Sequence, residues 1–239
     1  MSGDTARPAL PTSILDPANT ALLVVDVQND FIHADGRSGV RSDGNADFRA
    51  MVDGRLAPFV EEARALGVRV VWIQMENAPD TVSPANARIK RKMYGTDPDD
   101  EASVDIWERA VCVRGSWGAE IYLPVAEDDI VSPKSRYSAF IRTELDGMLR
   151  ELGVTTTAVA GVVTNQCVES TARDAYQHDY DVLLVADCVA ERSPEARTAT
   201  FANIEGGTGW VRDSADLLAA WHARVGAIAA GAASAGPGR

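Results

Sequence analysis

Thr157-Ala-Val-Ala-Gly161-Val-Val-Thr-Asn-Gln-Cys167-Val-Glu-Ser-Thr-Ala-Arg-Asp174-Ala-Tyr176 runs from a short apolar strand, through a polar turn, into a helix-period segment. A strand that empties directly into a helix is half of a βαβ unit, whose crossover must pack back onto its own sheet. Val168, Thr171, Ala172, Ala175 and Tyr176 form the predicted buried side of that helix. Cys167 then falls at the helix start, where unpaired N–H groups and the positive end of the macrodipole favour thiolate over thiol. Such a position suits a nucleophile. It also suits a small apolar filler, because free cysteines are among the most buried residues.

The same rhythm extends in both directions. Apolar, β-rich runs recur at 21–25, 68–74, 129–132, 157–162, 181–186 and, more weakly, 209–212. Between them, Leu56, Phe59, Val60, Ala63 and Leu66 share one helical face that Gly67 ends, and Leu145, Met148, Leu149 and Leu152 repeat the pattern with Thr143 as N-cap and Gly153 as stop. Alternating strands and helices predict an α/β fold of three layers, a mostly parallel sheet with helices on both faces. Residues 77–114 break the pattern with Pro79, Pro84, Pro98 and an acidic run at 97–101, and read as an insertion serving as lid or subunit contact. Residues 1–18 read as an N-terminal extension, and the Ala/Gly/Ser-rich tail 226–239 is expected to be disordered.

Composition narrows the function classes. The chain has 239 residues, 46% hydrophobic and 24% charged, a size and balance suited to one globular domain. With 23 basic against 35 acidic residues, the net charge is −12, which argues against a nucleic-acid partner. The short basic run 88–92 reads as a solvated helix face. Cys112, Cys167 and Cys188 are odd in number and lack metal-ligand spacing, so neither a disulfide framework nor a cysteine metal site is expected, and Cys112 and Cys188 read as packing residues. His33, His178 and His222 are isolated, which leaves little material for a Ser-His-Asp relay. The opening residues lack the apolar core of a signal peptide, and no apolar run approaches the ~20 residues that span a bilayer. The expectation is a soluble, cytoplasmic protein without a membrane partner.

Two charges end apolar strands: Asp26 closes Thr20-Ala-Leu-Leu-Val-Val-Asp26, and Lys134 closes Asp129-Ile-Val-Ser-Pro-Lys134. Ligands bind at the carboxyl ends of parallel strands, so both could share one crevice with Cys167. Taken singly, Asp26 also reads as a turn cap and Lys134 as a loop charge.

Together, Leu23-Val-Val-Asp26-Val-Gln-Asn-Asp-Phe31, Pro133-Lys134 and Gly161-Val-Val-Thr-Asn-Gln-Cys167-Val-Glu-Ser-Thr-Ala-Arg-Asp174 resemble the isochorismatase-like cysteine hydrolases, over 19–225. Gly115-Ser-Trp117, Lys134-Ser-Arg-Tyr-Ser138 and Asn203-Ile-Glu are most similar to the ureidoacrylate amidohydrolase branch. The resemblance implies a six-stranded sheet of order 3-2-1-4-5-6, a triad of Asp26, Lys134 and Cys167, and a cis peptide before Val163. That peptide would let the Val163 and Cys167 amides form an oxyanion hole. It further implies thioester chemistry on a small ureido, carbamoyl or amide substrate with release of ammonia, Tyr137 and Gln74 at the substrate, no cofactor, and a homodimer or homotetramer. Some relatives hold a metal beside the triad with an aspartate and histidines; residues 74–88 contain no histidine, so no metal is expected here. The competing readings are a plain amidase of the nicotinamidase or maleamate type, isochorismatase-type vinyl-ether hydrolysis, a redox thiol, and a binding module on the same fold.

Overall fold

The computed structural model describes residues 9–40 and 45–234. Six strands, β1 (Thr20–Val25), β2 (Arg69–Met75), β3 (Ile130–Lys134), β4 (Thr156–Val162), β5 (Asp181–Ala190) and β6 (Trp210–Arg212), form one sheet of order 3-2-1-4-5-6. Every neighbouring pair is parallel. β1 shows why the apolar runs are continuous rather than alternating. Ala21, Leu23 and Val25 enter the core on one face, Leu22 and Val24 the core on the other, and all five are fully buried.

The six principal helices are α1 (Ala57–Ala65), α2 (Pro84–Met93), α3 (Leu145–Glu151), α4 (Glu169–Gln177), α5 (Pro194–Glu205) and α6 (Ser214–Ser234). Leu145 and Leu149 of α3, Ala172 and Ala175 of α4 and Ile204 of α5 cover the first face. Phe59, Val60 and Ala63 of α1 and Leu217 and Trp221 of α6 cover the second, with Phe59 and Trp221 stacked at 5.7 Å. α1 is longer than its apolar spacing foretells, continuing back through a π turn (Val52–Leu56) into a helix at Ala46–Met51. Asp129, at the threshold of β3, ties the second face together: it accepts from Arg64 Nε and Nη2 at 2.9 and 2.7 Å and from Trp72 Nε1 at 2.8 Å.

Four local expectations need correction. The tail expected to be disordered from 226 is helical through Ser234, because alanine has the highest helix propensity and the helix propagates from a turn anchored by Leu217 and Trp221; residues 235–239 lie outside the described part. Tyr176 faces outward, 47% exposed, rather than into the core. Glu144, not Thr143, takes the N-cap position of α3, although Thr143 Oγ1 still accepts from Leu145 N at 3.5 Å while donating to Ala139 O. The basic run is not uniformly solvated, since Arg91 is buried and donates to Pro98 O at 2.9 Å. Of the expected N-terminal extension, residues 1–8 lie outside the described part, while Ile14 and Leu15 pack into the second core.

The chain steps outward from β1 to β2 and β3, then returns to β4 on the other side of β1. Direction therefore reverses between β1 and β4, the switch point at whose carboxyl edge α/β sheets open a crevice. Gly161 makes the closest approach there: it pairs with Val25 at φ +113°, and a Cβ would overlap the Val25 carbonyl. Gly161→Ala should therefore lose at least about 2 kcal/mol of stability in urea unfolding; a midpoint equal to the wild type would contradict this packing.

Candidate active site

Asp26, the first residue beyond β1, turns out of the strand with φ +54° while its N–H still donates to Ile73 O at 2.9 Å. Lys134 ends β3, in register with Met75 at the end of β2. The two charges meet at the carboxyl edge: Lys134 Nζ donates to Asp26 Oδ2 at 2.8 Å, with both side chains about 1% exposed, and to Arg136 O at 3.1 Å. Cys167 arrives from the far side of the switch point. It lies in a π turn (Thr164–Val168) that leads from β4 into α4, it is 6% exposed, and the Val162–Val163 peptide before that turn is cis.

The electrostatics follow from burial. Desolvation raises the Asp26 carboxyl above its usual range, with Lys134 and Cys167 pulling the other way. For Lys134 burial works against the charge, but Asp26 and the Cys167 sulfur outweigh it, so the ammonium is held protonated. Burial, reinforced by the negative charge of Asp26, pushes the Cys167 thiol well above the ordinary thiol range, and Lys134 offsets only part of this. This outweighs the pull of the helix start toward thiolate. The helix start does favour the anion, but the sulfur is nearly enclosed and faces a carboxylate, so the neutral thiol is the resting form.

Asp26 Oδ1 is buried and has no hydrogen-bond partner among the described residues. An unsatisfied buried oxygen is costly and unusual. Here it leaves one carboxylate oxygen open while Lys134 holds the other.

Tyr137 stands near this group: burial and then the Cys167 sulfur raise its phenol above the usual range, although the residue is 45% exposed. Gln74, in register with Pro133 on β3, is engaged by backbone: its Nε2 donates to Ala119 O at 2.8 Å, the carbonyl that Gln28 Nε2 also reaches.

Three residues quoted only as part of a motif fasten the loop that carries Asp26. Gln28, fully buried, donates to Met75 O (2.9 Å) and Ala119 O (2.7 Å) and accepts from Met75 N (2.8 Å). Asn29 donates to Trp117 O at 2.9 Å. Asp30 accepts from Cys112 N at 2.6 Å and Arg37 N at 2.9 Å, and Gly118 packs so closely on it that a side chain there would overlap the carboxylate. The available signal was three polar residues directly after an apolar strand, a pattern that burial makes structural.

Cys112, fully buried at φ +50°, packs in the same core as Cys167. Cys188 lies within β5, in the opposite core. Among the described residues, no group of three or more histidine, cysteine, aspartate or glutamate side chains is arranged to hold a metal ion, and no helix is long and apolar enough to cross a membrane.

The model for the isochorismatase domain matches residues 20–216. A ureidoacrylate amidohydrolase, RutB, of Methylobacterium radiotolerans is 37% identical over 225 residues, covering 89% of this chain and 84% of that protein. Among solved structures, N-carbamoylsarcosine amidase from Thermoplasma acidophilum is similar at TM-score 0.63 and 28% identity, over 82% of this chain and 96% of the other. A cysteine hydrolase from Pseudomonas syringae pv. phaseolicola 1448A superposes at TM-score 0.70 over 92% of this chain and the whole of the other; at 23% identity it speaks for the fold alone.

Because Asp26 helps hold the thiol protonated, neutralising it as Asp26→Asn should let Cys167 ionise at lower pH than in the wild type. Thiolate absorbance near ~240 nm, with the same variant lacking Cys167 as blank, reads this directly. An unchanged or higher ionisation midpoint would show that the carboxylate does not govern the sulfur.

Proposed function

The chain belongs to the isochorismatase family, and on that premise we propose that it is a cysteine-dependent amidohydrolase cleaving a C–N bond of a small carbamoyl or amide substrate. The observation that carries this reading is the open Asp26 oxygen: a buried carboxylate, fixed by Lys134 on one side and unsatisfied on the other, beside a protonated thiol. A base held in that way is poised to accept one proton.

In the proposed cycle, substrate displaces water from the crevice and Asp26 Oδ1 takes the proton of the Cys167 thiol as sulfur attacks the substrate carbonyl. A C–S bond forms, and the carbonyl π pair moves onto oxygen. The Val163 and Cys167 amides stabilise that oxygen, in a role commonly worth around 3 kcal/mol per donor. The oxyanion collapses, the C–N bond breaks, and Asp26 returns its proton to the departing nitrogen. Ammonia or a small amine leaves a thioester, or a thiocarbamate if the substrate is carbamoyl. Water, deprotonated by the same carboxylate, then attacks that carbon, and the released thiolate recovers the proton. Lys134 stays charged throughout and keeps Asp26 oriented. Tyr137 would contact the substrate, since its half-exposed phenol is one on which the Cys167 sulfur acts.

The ureido or carbamoyl class is preferred over a plain amide because the relatives named above include a ureidoacrylate amidohydrolase and an N-carbamoylsarcosine amidase. No step needs a metal, and the residues at 74–88 do not fit one: there is no histidine, and both Glu76 and Asp80 are engaged by Arg114 at 3.0 and 3.1 Å.

Cys167→Ser, Asp26→Asn and Lys134→Met should each lower kcat by at least about a thousandfold, as expected when interdependent groups act as one unit. Turnover within tenfold of the wild type in any of them removes that residue from the mechanism. A carbamoyl substrate should yield one carbon dioxide per turnover, because its carbamate product decomposes, whereas a plain amide yields none. Ammonia release without carbon dioxide across a panel of ureido acids and simple amides would favour the amidase reading. Incubation with a chelator should leave the rate unchanged.

A further inference from the structure

Lys90 is the one member of the basic run that turns inward without a charged partner. Arg91 donates to Pro98 O and approaches Glu101 at 3.8 Å, and Arg88 and Lys92 are exposed. The Lys90 ammonium instead donates to Asn77 Oδ1 at 3.2 Å, and among the described residues no carboxylate lies within ion-pair distance of it. The acidic side chains nearest Asn77 in sequence, Glu76 and Asp80, are taken by Arg114. A half-buried cation satisfied only by a neutral amide is incomplete, because burial penalises its charge without a compensating anion.

Its position connects it to the site described above. Asn77 is two residues beyond Met75 and so shares Met75's side of β2, the side of Lys134 and of the core that contains Cys167. The asparagine is rigidly held: its N–H donates to Cys112 O (2.9 Å), its O accepts from Arg114 N (3.0 Å) and its Nδ2 donates to Val111 O (2.8 Å). Two extended residues advance about 6–7 Å. The Asn77 backbone thus stands about one small-acid length beyond the level of Lys134, and the ammonium bonded to its side chain is close enough to Cys112, in the Cys167 core, to feel its sulfur. The capping box of Ser83 and Asn86, which fixes the start of α2, sets the direction from which Lys90 reaches in.

We propose that Lys90 is a carboxylate-binding residue of the substrate crevice, selecting acids that carry a carboxylate a few bonds from the scissile carbonyl, such as N-carbamoyl amino acids. This rests on the amidohydrolase reading for its site and deepens it by naming the charge of the substrate. The substrate carboxylate supplies the ion pair that Lys90 lacks, while Asn77 keeps the ammonium directed inward. A neutral analogue gains nothing from it.

The test compares 3-ureidopropionate with its uncharged primary amide in wild type, Lys90→Gln and Lys90→Arg. Lys90→Gln should raise KM for the acid at least tenfold with kcat within threefold, leave the neutral analogue within twofold, and be partly rescued by Lys90→Arg. Equal losses on both substrates, or an unchanged KM for the acid, would overturn the proposal. A second arm measures binding of 3-ureidopropionate by calorimetry to Cys167→Ala protein with and without Lys90→Gln, where a tenfold or greater weakening is expected. If the acid binds in a Lys90-dependent manner but the wild type turns nothing over, the catalytic reading falls and the carboxylate site stands. If the acid does not bind at all, or binds equally well with and without the Lys90→Gln substitution, the carboxylate site falls.

Discussion

A buried ion pair organises this molecule. Asp26 and Lys134, from the ends of β1 and β3 with β2 between them, meet at 2.8 Å with almost no solvent contact. Such a pair is a weak source of stability, because removing two charges from water costs several kcal/mol per ion and apolar replacements are often as stable. Its value lies in what it does to the atoms around it. Lys134 fixes one oxygen of Asp26 and leaves the other without a partner, while the carboxylate acts on the Cys167 thiol in a low-dielectric setting that strengthens every charge there.

The fold delivers these groups by topology rather than by local sequence. The chain reverses direction between β1 and β4, so residues 26 and 167 come from neighbouring strands although they are far apart in sequence, and 134 comes from the edge strand. Gly161 lets β4 lie against Val25 at that point, and Gln28, Asn29 and Asp30 fasten the loop after β1 to the 112–119 segment. The segment 77–114 contributes Asn77, Cys112 and α2 to the same wall, which is why the irregular insertion matters chemically.

Much of this is legible in the sequence, for reasons that also mark the limits. Doubly buried parallel strands must be continuously apolar, so 21–25, 157–162 and 181–186 stand out, and the first charge after an apolar run marks the carboxyl edge where Asp26 and Lys134 lie. What the sequence hides depends on side-chain direction and burial. Gln74 is tied to the Ala119 carbonyl, a bond made 45 residues away that its own stretch of sequence does not announce. Tyr176 follows a helical face on paper but lies at the exposed end of α4. The Ala-rich tail resembles disorder by composition, yet Trp221 nucleates it on the core. The thiol's resting state escapes a sequence reading because a helix start is visible there, whereas enclosure beside a carboxylate is not.

The central claim is that Cys167 becomes covalently attached to substrate through the agency of Asp26. Rapid acid quench of the working enzyme followed by peptide mass spectrometry tests it most directly. The account predicts an acyl or carbamoyl adduct confined to Cys167, formed in the wild type and absent when Asp26 is replaced by Asn. Steady turnover with no adduct at any quench time, or an adduct placed on Cys112 or Cys188, would contradict it.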